Sequence, residues 1–315
     1  MRQAMKKSTK TLIGVLLLLG IVYAVQRLTF TTSTTEKSKP LSKVDTSKVN
    51  QFSITEPSNG KEIVIARESH GWFIVNPIRF PANRSQVNLL LSAIAADPSA
   101  SVVADNLADS LSYGLGASAP SLKITENIQN EISLKVGNDT PDFDGCYVEV
   151  DGSKKILDLS NNIRTYVAQS LTDWRDKQIF DFRLDDIQAA DFALGDTLFH
   201  FFHRDTVWQV NGNIVPMDRV QDVIGEFLGT MATDFVDTSL SGEESLIDYG
   251  FTLLNGTREA GKVVKLTAAI PTVQTFLYNS ANDQTYVISS LSAEDLQIGL
   301  REIRRDFLTK MTGKR

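Results

Sequence analysis

The sequence predicts an α+β protein of two similar modules, each a mainly antiparallel sheet with helices packed on one face, after an N-terminal transmembrane segment. Three observations predict it. An apolar run opens the chain, short alternating runs separated by turn residues fill the rest, and one pattern occurs twice. The first copy reads GWFIVNPIRFPANRSQVNLLLSAIA and then SYGL; the second reads VWQVNGNIVPMDRVQDVIGEFLGTM and then DYGF. Trp72 to Tyr113 and Trp208 to Tyr249 are both 41 positions. In each copy a proline (Pro81, Pro216) is followed at +3 by arginine (Arg84, Arg219) and at +5 by glutamine (Gln86, Gln221). Ser160 to Arg175 and Ser290 to Arg305 each span 15 positions, and both arginines precede an aspartate, Asp176 and Asp306. A repeat of this length is a duplicated domain rather than a solenoid unit. The divisions that follow are an N-terminal tip and membrane anchor (1–28), a flexible linker (29–43), a first module (44–178) and a second (181–309).

The elements are predicted in order as follows. Met1–Lys10 is basic, and Leu12–Val25 is an unbroken apolar run of 14 residues. Its length fits a signal-peptide core, with Val22-Tyr23-Ala24 as a cleavage site. It also serves as an anchor if the span extends from Thr11 to Phe30 with Arg27 reaching the headgroups. Either way the positive-inside rule puts the N-terminus in the cytoplasm and the bulk outside. Thr29–Lys43 is rich in Thr, Ser and Lys and reads as a tether. In the first module Val49–Thr55, Glu62–Arg67 and Trp72–Val75 are strands. Arg84–Ala96 is a helix capped by Asn83, stopped by Asp97-Pro98 and apolar at Val87, Leu90, Leu91 and Ile94. Asn106–Leu111 reads as a short helical segment. Ser121–Thr125, Ile132–Val136, Cys146–Val150 and Lys155–Leu159 are strands, the last two joined by Asp151-Gly152, and Asn161–Trp174 is a closing helix.

The second module repeats this order. Asp191–Leu194, Thr197–Arg204 and Val207–Val210 are strands, and the helix after Pro216 is apolar at Val220, Val223, Ile224, Phe227, Leu228 and Met231. Lys262–Ala269, Val273–Asn279 and Gln284–Ser289 are strands. Ser292-Ala293-Glu294-Asp295 reads as a capping box for a last helix that buries Leu296, Leu300, Ile303 and Phe307. Trp72 and Trp208 are expected to pack sheet on helix. Tyr113 and Tyr249 are expected to close the sheet's end, with Gly114 and Gly250 in turns.

These pieces resemble the bacterial domain-of-unknown-function family 4340. The matching residues are Gly71-Trp72, Pro77, Leu89–Leu91, Tyr113-Gly114-Leu115, Val136-Gly137-Asn138-Asp139-Thr140 and Tyr147-Val148-Glu149-Val150. The second copy lacks the glycine before Trp208 and the Val-Gly-Asn-Asp turn. The resemblance implies a membrane-anchored extracytoplasmic protein associated with an ABC transporter of the gliding-motility auxiliary type. It also favours a retained anchor over a cleaved signal.

No residue pattern nominates a catalytic, cofactor-binding or metal site. The net charge is −6, and −10 once the basic first ten residues are set aside, which argues against nucleic acid as a partner. The single cysteine, Cys146, permits no internal disulfide and has no histidine near it in sequence. Of three histidines, His200 and His203 share a predicted strand but lie three apart, on opposite faces, so they cannot chelate one metal. The acidic hairpin Asn138–Gly145, with Asp142 and Asp144, reads as a turn, with a calcium loop as the alternative. Asp185-Asp186 and Glu243-Glu244 suit helix starts. There is no Walker A loop, GxGxxG or GxSxG.

The expected function is a non-catalytic, membrane-tethered extracytoplasmic adaptor whose partner is an integral membrane protein, plausibly an ABC transporter permease. The alternatives are a cell-envelope hydrolase with an unrecognised acidic site and a periplasmic small-ligand receptor that uses the cleft between modules. Intact-mass measurement of the mature protein checks the anchor: it is expected to retain residues 1–24, and a chain starting at Val25 would make it a secreted protein.

Overall fold

The computed structural model describes residues 37–55, 60–127, 130–237, 245–267 and 273–312. Among them no helix is long and apolar enough to cross a membrane; the predicted anchor, Leu12–Val25, lies outside the described residues. Two compact units meet between Trp174 and Arg175.

The first unit is a ten-stranded antiparallel sheet. Its strands are β1 (Lys37–Ser38), β2 (Gln51–Thr55), β3 (Glu62–Glu68), β4 (Gly71–Asn76), β5 (Phe80–Pro81), β6 (Ala100–Ala104), β7 (Ser121–Asn127), β8 (Asn130–Asp139), β9 (Cys146–Val150) and β10 (Ile156–Leu159). They lie in the order β1-β6-β10-β9-β8-β7-β2-β3-β4-β5. Helix α1 (Arg84–Ala95) buries Val87, Leu90, Leu91 and Ile94, and the Asn83 side chain caps it by accepting from the Ser85 and Gln86 amides. The expected closing helix is instead two short ones, α2 (Arg164–Val167) and α3 (Leu171–Trp174). Asp173 Oδ2 accepts from both the amide and the hydroxyl of Ser170, which starts the chain on a new helix. Asn106–Leu111 forms turns rather than a helix, with Asn106 Oδ1 accepting from the Ala108 amide. The end of the expected linker is not free. β1 pairs with β6 and Leu41 is buried, so residues 37–43 belong to the first unit.

The second unit is a nine-stranded antiparallel sheet. Its strands are β11 (Ile187–Leu194), β12 (Thr197–Arg204), β13 (Val207–Val210), β14 (Asn213–Val215), β15 (Asp234–Val236), β16 (Ser245–Leu253), β17 (Arg258–Thr267), β18 (Val273–Asn279) and β19 (Gln284–Ile288). Their order is β14-β13-β12-β11-β16-β17-β18-β19-β15. Set β1 aside, and this is the order of the first sheet, strand for strand, with the same sequence of connections. The duplication read from the spacing is therefore a duplication of topology. The two tryptophans occupy equivalent places. Each is the second residue of its strand, Trp72 opposite Arg67 and Trp208 opposite His203.

A helix follows Pro216 as α4 (Met217–Val220), a π turn (Gln221–Gly225) and α5 (Glu226–Leu228). It buries Val220, Val223, Ile224 and Phe227; Met231, expected on the same stripe, lies past its end and is exposed. The last helix, α6 (Ser290–Thr312), starts at Ser290, so the expected capping box falls inside it, and Ser289 Oγ accepts from the Leu291 amide. Leu296, Leu300 and Ile303 are buried; the Phe307 side chain lies outside the described ones. Where α6 meets the π turn, a Cβ at Gly299 would crowd Val223, so the glycine permits close approach.

The tyrosine repeat is not structural. Tyr113-Gly114 lies in a loop before β7, with Gly114 at φ +74°. Tyr249-Gly250 lies inside β16, a strand the sequence reading did not contain, and Gly250 has no positive φ. Ile247, Tyr249, Phe251 and Leu253 alternate inward along it, and all four are buried. Tyr249 crosses Gly261, its partner on β17, and donates its hydroxyl to the Tyr278 carbonyl on β18 at 3.0 Å. A Cβ at Gly261 would overlap both that carbonyl and the Tyr249 hydroxyl. Gly261→Ala is expected to cost about 1–3 kcal/mol, the usual range for overpacking. Gly250→Ala, whose Cβ would meet nothing nearer than 3.7 Å, should stay within about 0.5 kcal/mol of the parent. Urea midpoints of the two variants, measured side by side, check the pair.

Candidate functional site

The described groups with chemical potential are scattered, and geometry separates them. His200 and His203 face opposite sides of β12. His200 Nδ1 pairs with Asp191 Oδ1 at 2.6 Å on the exposed face, and Arg258 stands 3.8 Å from the other carboxylate oxygen. His203 stacks on Trp208 with ring centroids 4.8 Å apart. Among the described residues no group of three or more His, Cys, Asp or Glu converges as a metal site. Cys146 is buried in β9, and burial pushes its thiol up to about 11.

The acidic hairpin is a turn. Thr140 donates its hydroxyl to Asp142 Oδ1 at 2.5 Å, which holds that carboxyl below its ordinary range. Asp139 is engaged instead by Asn162 Nδ2 at 2.9 Å, with Arg164 at 3.9 Å. Phe143 takes φ +63° at the apex. Beside this turn, on β10, Asp158 is shifted upward, first by burial and then by the charge of Asp142. Asp185 and Asp186 do sit at a helix start, the 3₁₀ turn Leu184–Asp186, where Asp186 Oδ2 accepts from the Arg183 amide at 2.8 Å. Glu243 and Glu244 lie outside the described residues.

Two adjoining clefts lie in the second unit. A cleft of ≈ 410 Å³ is lined by Leu184, Asp185, His203, Val207, Trp208 and Met217, with Thr206 and Val215 completing it. A second, of ≈ 370 Å³, shares Leu184, Asp185 and Met217 and runs on past Phe180 and Gln221 to Gly225 and Gly229. Gly225 belongs to the π turn, and the Gln221 amide folds over it where a Cβ would stand. π turns inside α-helices recur at functional sites because they re-aim the side chains of one helical turn. The two clefts make a groove along one side of the helix. Its walls come from the 3₁₀ turn, β12, β13 and the helix, segments far apart in sequence. For that reason spacing arguments missed Asp185, Met217 and Gln221 as a group. The signal available in the sequence was a difference between the copies, since the place opposite the tryptophan is Arg67 in one and His203 in the other.

The family model for a domain of unknown function, DUF4340, matches residues 72–252, more than half of the chain. The chain belongs to that family. No curated protein matches the chain, and no solved structure does. The structure explains why the DUF4340 motif pieces go together in the first unit. The Asn138 amide donates to the Tyr113 carbonyl at 2.8 Å, and Tyr113 meets Tyr147 edge to face at 4.7 Å. A Cβ at Gly114 would overlap Asn138, and one at Gly137 would overlap the Tyr113 carbonyl. Tyr-Gly-Leu, Val-Gly-Asn-Asp and Tyr-Val-Glu-Val are thus three sides of one packing contact, which holds the 105–120 loop onto β8. They build the fold.

The Cys146 environment generates a direct check. Iodoacetamide should leave the native thiol unmodified at pH 8 and alkylate it stoichiometrically in denaturant, read by intact mass. Fast native alkylation would mean an activated thiol in place of a packing residue.

Proposed function

We propose that this chain is a non-catalytic, membrane-tethered extracytoplasmic adaptor or auxiliary subunit whose partner is an integral membrane protein of the ABC-type transporter permease kind. The observation that carries this reading is a difference between the two copies at the same sheet edge. In the first unit that edge is β5, two residues long and ending in Pro81, beside an Arg79–Glu68 pair held by two hydrogen bonds of 2.5 and 2.8 Å. Proline and charge are what protein edges use against unwanted pairing. In the second unit the edge is β14, where Ile214 is 66% exposed, and the helix that starts just after it carries Met217, 52% exposed. A duplicated fold that shields an edge in one copy and leaves it apolar in the other has a surface kept for a partner. The basic tip and apolar run at the N-terminus support tethering, and the acidic body supports a protein partner over nucleic acid.

Tethering also makes a modest affinity sufficient, because it keeps the body at high effective concentration near membrane proteins. Photo-crosslinking in native membranes from a reactive residue placed at Met217, with one at Leu89 of the first unit as the reference, tests the proposal. The expected capture is an integral membrane protein from the Met217 position only. The hydrolase reading has its own observation, Asp142 shifted down beside Asp158 shifted up, the arrangement of an acid and base pair. No captured partner, together with cell-wall hydrolysis lost in D142N or D158N, would replace the adaptor with the enzyme.

A further inference from the structure

The two copies differ most informatively over their tryptophans. In the first unit the Arg67 guanidinium lies 4.9 Å over the Trp72 ring and donates to the Ser47 carbonyl at 3.0 Å. In the second unit the equivalent place belongs to His203, a shorter side chain, and beside it opens the ≈ 410 Å³ cleft. That volume is near the lower end of ~300–1,000 Å³ for ligand sites, suited to one or two side chains. Its walls are apolar and aromatic, Leu184, Val207, Trp208, Val215 and Met217, and its one charged lining residue is Asp185. An apolar wall with a carboxylate at its rim matches a long aliphatic stem carrying a cation. The helix adds charge of the same sign. Asp218, Asp222 and Glu226, all exposed, each stand one residue after a groove-lining position, Met217, Gln221 and Gly225. Arg183, in the adjoining cleft, is the one cation lining either.

We propose that the cleft beside Trp208 seats a lysine or arginine side chain presented by an apolar–basic segment of the partner protein. This rests on the adaptor reading and gives it a place. The cation enters beside His203, whose ring stacks on Trp208 where the first unit has its own Arg67 over Trp72. Its stem lies along Met217 and Val207 and its head pairs with Asp185. A free polyamine would satisfy the carboxylates, but it would leave uncovered the exposed apolar rim of Val207 and Met217. A peptide covers both.

The test titrates the full-length chain, in neutral detergent micelles, with the probe acetyl-Gly-Leu-Arg-Leu-Gly-amide, followed by calorimetry. The matching probe with citrulline keeps the shape and removes the charge. Expected are binding of the arginine probe, at least tenfold weaker binding of the citrulline probe, and at least tenfold weaker arginine-probe binding to Asp185→Asn. Asp109→Asn, which changes net charge equally at an exposed position of the other unit, should bind as the parent does. Equal binding of the two probes, or equal behaviour of the two variants, overturns the proposal, and the probe comparison needs no variant to fold. Spermidine binding as tightly as the arginine probe would also overturn it, in favour of a small-polycation site. If a membrane protein is captured from Met217 while these titrations fail, the adaptor reading stands and only this mode of recognition is lost.

Discussion

Phe227 holds the second unit's helix to its sheet. Its ring meets Tyr249 at 5.2 Å, Phe180 at 5.4 Å, Phe192 at 5.8 Å and Phe251 at 6.2 Å, so one helix residue is packed by rings from β11, β16 and the segment that enters the unit. Each such pair contributes about 0.5–1.5 kcal/mol beyond area burial. With the helix pinned there on one side and by the close approach of Gly299 of α6 to Val223 on another, the backbone that carries Met217 and Gln221 is fixed. The groove is therefore a consequence of core packing, and its walls are held by the same rings that stabilise the fold.

The two units reach the same sheet order by different local means. The first binds its entry loop by backbone contact, Tyr113-Gly114 on Gly137-Asn138. The second sends a tyrosine across a glycine, Tyr249 over Gly261, to a carbonyl two strands away. Burial raises the affinity of that phenol for its proton, so Tyr249 stays a hydrogen-bond donor at any working pH. After a duplication, topology constrains which faces must be buried, and many side-chain solutions satisfy it. Equal spacing from tryptophan to tyrosine was thus a coincidence of sequence laid over a real repeat.

Much of the fold was legible because its signals are local. Alternation marked β12, β13 and β18 to the residue, and Asn83 and Asp97-Pro98 bounded α1. β16 was hidden because Asp248-Tyr249-Gly250 carries the composition of a turn, and only the tertiary pairing of Tyr249 with Gly261 makes a strand of it. The broken helix before Trp174 was hidden because Ser170 and Asp173 cap locally while the apolar period continues through the break. The groove was less legible than the fold. Its lining is assembled from residues between Gln178 and Gly229 by packing, with no spacing of its own.

The charge distribution around the groove bears on how it would meet a partner. Asp218, Asp222 and Glu226 lie on the exposed side of the helix, with Asp218 in its first turn, where the helix dipole favours a carboxylate. Exposed carboxylates of this kind add little to stability and are screened beyond about 8 Å at physiological salt. Their effect falls on encounter: a stripe of one sign beside an apolar cleft raises the association rate of a cationic segment and disfavours an acidic one. Burial of the aliphatic stem and the exposed rim then slows dissociation. Selectivity is divided accordingly, with charge choosing the approach and shape choosing what stays. The first unit covers the equivalent ring with its own guanidinium, Arg67 over Trp72, where the second has the shorter His203 and a cleft beside it.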